Sequence, residues 1–198
     1  MSAVEELVSR ARSRFDEASF LDFLDERSDD GHWELIEGIP FMMPPPSMRH
    51  RAIAKNLERL LNAALRAAQL PLEADREVPL RHPTDTSFRP EADVVVIDPD
   101  EEVARPTDRF YETCRLVAEV LSPSTEHVDL VTKRQRYTEL PECQHIVILS
   151  QNEMRLRHWA RSCGWAERVY MDPEAVFDLP EFSFSCRLKD LYARTDLL

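Results

Sequence analysis

Glycine is the scarcest punctuation in this chain, with only three in 198 residues. A loop that cradles nucleotide phosphates needs several glycines close together, so that class of site is excluded. Cysteine is nearly as thin. Cys114, Cys143, Cys163 and Cys186 form no CxxC pair and show no zinc-ligand spacing. They read as reduced, mostly buried thiols of a cytoplasmic protein. No stretch approaches the ~18 consecutive apolar residues of a membrane span. The first 20 residues mix acids with arginines and lack the apolar segment of a signal peptide. No serine or cysteine triad can be assembled. Basic charge is also short, and a net −12 argues against indiscriminate binding to nucleic acid.

What is there is a globular composition, 43% hydrophobic and 31% charged, in a chain long enough for one full core and too short for two. The expectation is a single domain over 1–198 with its core at about 16–193. Charge is unevenly spread. Segment 49–66 sets five basic residues against Glu58, net +4, and segment 155–168 sets four against Glu167, net +3. Segment 16–37 holds nine acids and one arginine, net −8. Local basic faces are compatible with a nucleic-acid partner.

Apolar spacing predicts an amphipathic helix over 17–27. Trp33–Ile36 and Ile39–Met43 around Glu37-Gly38 predict a hairpin, with Pro40 placing its second strand on an edge. Three prolines, 44–46, end the hairpin. Ser47 then caps a helix to about Ala68, in which Ile53, Leu57, Leu61 and Ala64 follow helical spacing. Strands are expected at 72–81, 91–98 and 114–121. A helix over 126–140 follows, capped by Ser124 or Thr125 and stopped before Pro141. Strands at 144–149, 153–160 and 165–171 and a short helix at 187–193 complete the chain. The fold class is α/β, with one central sheet.

Three residues break this apolar pattern. Asp93 lies within Ala92–Ile97 and Glu119 within Leu116–Leu121, both strand-like runs. A buried carboxylate without a partner costs several kcal/mol, so it pairs, shifts its pKa or binds a metal. Lys133 interrupts the inward stripe of Leu130, Tyr137 and Leu140. If the second long helix folds back on its strand, Lys133 lies about eight residues along it, roughly 12 Å. That equals about 3.6 strand residues, which returns the lysine to the level of Glu119. Two acids and a lysine are what metal-assisted phosphodiester cleavage needs, and oxygen-only ligands suit Mg²⁺ or Mn²⁺. A lysine snorkelling past a helix edge, and acids paired with buried arginines, are the plainer alternatives. His50, at the start of the first long helix's stripe, reads as a core or cap histidine, and Glu34 carries little by itself.

In order, Trp33-Glu34-Leu35-Ile36-Glu37-Gly38, Pro44–Pro46 followed by His50, Arg89–Val96, and Ala118–Thr125 followed by Asp129, Lys133 and Tyr137 resemble the Uma-type family of restriction endonucleases in the PD-(D/E)XK nuclease superfamily. Phe182–Ser185 and a short helix resemble its end. The resemblance implies a restriction-endonuclease-like mixed central sheet flanked by helices, with an N-terminal helix and hairpin. It implies a DNA endonuclease in which Asp93, Glu119 and the backbone carbonyl of Leu121 hold Mg²⁺ or Mn²⁺, Lys133 serves the reacting groups, and Glu34 and His50 line the same site. It further implies DNA as substrate and a homodimer, without a membrane. The sequence departs from the pattern at Leu121, where the superfamily has its lysine, and at Ala92, where it has proline. His145–Ile148 also stands where the family has aromatic residues. A catalytically weak or inactive nuclease fold that binds nucleic acid or protein is the alternative reading, and a hydrolase of small phosphodiesters is a third.

Overall fold

The computed structural model describes residues 14–27, 31–105, 108–122, 126 and 128–198. Its centre is a six-stranded sheet ordered β3-β4-β5-β6-β7-β8. The strands are β3 (Glu73–Pro79), β4 (Glu91–Ile97), β5 (Leu116–Leu121), β6 (His145–Ser150), β7 (Leu156–Ala160) and β8 (Glu167–Tyr170). β5 and β6 run parallel, and the other neighbours are antiparallel.

Both faces of the sheet are covered, which is why β4 and β5 read as continuous apolar runs. The 20-residue helix α2 (Met48–Ala67) lays Ile53, Leu57, Leu61 and Leu65 over Val94, Val96, Leu116 and Ala118. The other face buries Val95, Val117, Ile146 and Ile148 against Phe88 and Tyr137. Ser47 caps α2 as expected, accepting from the His50 N–H.

The N-terminal helix α1 (Glu17–Asp25) is closed by a capping box between Asp16 and Ser19. It is followed by the hairpin β1 (His32–Ile36) and β2 (Ile39–Met43). Glu37 and Gly38 both have positive φ, 51° and 76°, the two-residue turn that a twisted hairpin prefers. A Cβ on Gly38 would lie 2.7 Å from Cβ of Arg14, so only glycine fits. Leu35 exchanges both backbone hydrogen bonds with Arg89, at 2.9 and 2.7 Å. Its register partner Pro40 therefore sits where no N–H is needed. This clamp sets β1 beside the start of β4.

Four differences from the sequence reading stand out. A short helix, α3 (Pro99–Ala104), and a second hairpin, β9 (Val176–Leu179) with β10 (Phe184–Arg187), were not anticipated. At four residues each, those strands give too brief an alternation to stand out. The helix expected over 126–140 is a wide π-helical turn, Val128–Lys133, running into a single α turn, α4 (Arg134–Tyr137). Such turns occur often at functional sites. The terminal helix α5 is Leu188–Leu191, and the caps expected at Ser124 or Thr125 lie outside the described residues. Cys114, Cys143 and Cys186 are buried, and Cys163 is exposed.

Candidate active site

The ladder between β4 and β5 ends at Val94 opposite Ala118. One step further Asp93 and Glu119 come opposite each other, and side chains replace the backbone partners. The Val120 N–H donates to Asp93 Oδ2 at 2.7 Å, and the Asp93 N–H points at Glu119 Oε2 at 3.4 Å. The sheet parts here, which is how two carboxylates fit into apolar strands without losing backbone hydrogen bonds.

Lys133 arrives from the π-helical turn, and its Nζ lies 3.4 Å from Glu119 Oε1, at the level the helix geometry predicts. It donates to Glu34 Oε1 at 2.8 Å and lies 3.2 Å from Asp129 Oδ1, one helical step back. At 1% exposure the lysine does not snorkel. Glu34 is delivered by the clamped hairpin and also accepts from the Glu91 N–H at 2.8 Å. Tyr137 donates its hydroxyl to Glu119 Oε1 at 2.6 Å. His50 Nε2 lies 3.2 Å from Asp93 Oδ2.

Glu34, His50, Asp93, Glu119 and Lys133 thus line one cleft of about 620 Å³, together with Asp129, Pro44–Pro46 and Gln151. Sequence reasoning left two of the close partners without a role, Asp129 and Tyr137. They stand four residues either side of Lys133, the one signal that could have found them. Leu121 packs with Val117 and Tyr137, on the face Glu119 shares. The place of a strand-borne lysine is therefore apolar, and Lys133 reaches Glu119 from the helix.

The family profile described as "Uma2: Putative restriction endonuclease" matches residues 18–189. This chain belongs to the Uma2 family. The Uma2 fold seen here is similar to the crystal structure of "a putative nuclease belonging to DUF820" from Anabaena variabilis. The TM-score is 0.69 at 18% identity, covering 86% of this chain and 95% of that one. No functionally curated protein matches.

The electrostatics of this Uma2 cleft are lopsided. Glu34, Glu119 and Asp129 are each at most 3% exposed and surround one ammonium. Three ionised carboxylates against one lysine leave two uncompensated negative charges in a dry place. Burial pushes the Glu119 carboxyl well above its ordinary range, with its acidic neighbours adding to the effect, and burial likewise raises Glu34. Burial alone would lower Lys133, but Glu119, Glu34 and Asp129 outweigh it and keep the ammonium. Burial also works against a charged His50, and its bond to Asp93 more than offsets this, leaving the ring more basic than usual. Asp93 thereby has a counter-charge of its own.

Among the described residues no set of three or more Asp, Glu, His or Cys side chains is arranged as a ready-made metal cage. Mg²⁺ does not need one, since it keeps several waters and takes one or two carboxylates. The donor set fits such an ion. Its groups are hard oxygens, and Asp93 Oδ1 has no protein partner among the described residues.

Proposed function

We propose that this chain is a divalent-metal-dependent endonuclease that hydrolyses DNA phosphodiester bonds. The observation that carries the reading is the convergence of Glu34, Glu119 and Asp129 on Lys133, beside a partly exposed Asp93, in one cleft. Asp93 and Glu119 would hold Mg²⁺ or Mn²⁺. The backbone carbonyl of Leu121, at the end of β5, would assist, as the family pattern implies. When bound, the ion neutralises charge on a phosphate and acidifies water.

The chain's own groups have separable tasks. Tyr137 and Lys133 both donate to Glu119 Oε1 and so fix that carboxylate's orientation. His50 and the Val120 N–H hold Asp93 by Oδ2, leaving Oδ1 toward the cleft. Glu34 steadies the Lys133 ammonium, whose charge is placed to offset negative charge developing on a phosphate during attack. On the outer face of α2, Arg51, Lys55 and Arg59 are exposed at four-residue steps without an acidic partner among the described residues. This row gives an acidic protein a local track for a phosphate backbone. Cutting both strands of a duplex calls for two such sites, which a twofold homodimer would supply.

The direct test is nicking of plasmid and single-stranded DNA with Mg²⁺ or Mn²⁺. Asp93→Ala and Glu119→Ala should each reduce the rate by about 10²-fold or more. Absence of nicking in the wild type, or nicking that survives both substitutions, sinks the reading. Calorimetric titration of Mg²⁺ or Mn²⁺ separates it from a non-catalytic binder, because only the nuclease requires metal binding that Glu119→Ala abolishes.

A further inference from the structure

We propose that Gln151 and the N-terminal pole of α2 form a binding site for a backbone phosphate flanking the one handled at Asp93 and Glu119. The nuclease reading enters only in naming the ligand as a nucleic-acid strand; the site itself rests on its own geometry.

Gln151 follows β6 directly, at the carboxyl end of the parallel pair β5–β6, where open α/β sheets collect ligands. It is 7% exposed and lines the cleft. The α2 cap dictates which way its carboxamide points. Ser47 Oγ accepts from the His50 N–H at 3.1 Å, so its single proton is free to go to Gln151, 2.6 Å away. The atom that receives a proton is the amide oxygen, Oε1. The Nε2 end, with two N–H donors, has no partner among the described residues. The main chain is fixed as well. The Gln151 carbonyl accepts from Arg49 Nη1 at 2.8 Å, and the rest of that guanidinium grips Asp196 at 2.8 and 2.6 Å. A nearly buried side chain is therefore held at both ends with its two donors facing the cleft, where a ligand can use them.

The helix supplies the second part. Ser47 satisfies only the His50 N–H, so the N–H groups of Met48 and Arg49 have no partner among the described residues. The positive end of a 20-residue helix thus lies beside the free carboxamide. Both point to an anionic oxygen acceptor. A neutral amide also suits this wall. A lysine here could be drawn into ion pairs with the acids that line the cleft, Glu77 and Glu91 among them, whereas an amide stays available. Glu119 is level with Ile148, and Gln151 stands three residues further on, roughly 10 Å along the strand direction. One phosphate does not span that distance, so the phosphate is a neighbouring one.

A small diester and a DNA strand share this chemistry, and the experiment distinguishes them. The ¹⁵N-labelled intact chain, with Ca²⁺ replacing Mg²⁺ to keep the substrate whole, is titrated with dimethyl phosphate and separately with a short DNA oligonucleotide. The Gln151 side-chain amide resonances should shift with the oligonucleotide, saturating at a concentration about tenfold or more below that for dimethyl phosphate. Gln151→Glu, which puts an oxygen in place of the NH₂, should weaken oligonucleotide binding by about tenfold. Stationary Gln151 resonances, or a Glu variant that binds like the wild type, overturn the proposal. An equal response to both probes overturns the strand assignment. The wild-type resonances give an answer even if the variant misfolds. Should the oligonucleotide move Gln151 while DNA is never nicked, the nuclease reading falls and this site stands; nicking with a silent Gln151 gives the reverse.

Discussion

Lys133 concentrates the residue-scale physics of this protein, because one ammonium answers to Glu34, Glu119 and Asp129 within 3.4 Å. Replacing it with methionine keeps the volume and removes the only cation inside that group. Breaking a buried pair costs about 3–5 kcal/mol, so the melting temperature of Lys133→Met should fall sharply near pH 8. The loss should be smaller near pH 5. Glu34 and Glu119 have folded-state pKa values raised above their unfolded ones, so the native state holds extra protons above the ordinary carboxyl range. Stability from such groups is full at acid pH and declines as pH rises through the folded values. Thermal melts of wild type and variant at the two pH values check this, and an equal loss at both would contradict it. Asp93, Glu119 and Lys133 were legible in the sequence because charge inside an apolar run is conspicuous. Gln151 and Tyr137 were not. An amide after a strand and a tyrosine on a core stripe look ordinary until their partners are known.

At the scale of elements, the N-terminal hairpin is a positioning device. Gly38→Ala forces a side chain into a left-handed turn and against Arg14. A destabilisation of about 1–2 kcal/mol is expected. Because the same hairpin carries Glu34, nicking activity should drop along with the melting temperature; an unchanged melt would show that the turn has another way to close. Helix α2 has two jobs on two faces, core on one and a row of cations on the other. Replacing Arg51, Lys55 and Arg59 together with alanine should weaken DNA binding regardless of sequence. The slope of log affinity against log salt should fall by about 2 to 3, near 0.9 per lost phosphate contact. Fluorescence anisotropy at several salt concentrations gives that slope, and an unaltered slope removes this face from the interface. The long α2 and the apolar strands β4 and β5 were readable because each repeats its signal many times. The π-helical turn was not, because its sequence spacing is shared with an α-helix.

At the scale of the whole molecule, the second hairpin closes the sheet on a pair of buried histidines. His145 Nδ1 lies 3.0 Å from His158 Nε2, with Phe182 and Phe177 against the rings. Burial, then the neighbouring His145 and Arg168, hold His158 down at about 4, and burial also lowers His145. A histidine depressed in the folded state binds its proton more readily when unfolded, so stability is lost as pH falls from about 6.5 to 4. His158→Gln should flatten the fall in melting temperature over that window, and an unaltered pH profile would place the acid sensitivity elsewhere. Sequence by itself determined the long α2, the apolar strands β4 and β5, the two acids, the lysine and the family pattern, since these are properties of residue type and local spacing. Tertiary structure alone decided which atoms of Glu34 and His50 meet Lys133 and Asp93, that Lys133 is fully enclosed, and that Gln151 lies in the cleft against Ser47. Those facts depend on how residues 57 and 99 positions apart in the chain are brought together by packing, and no local pattern encodes a contact of that range.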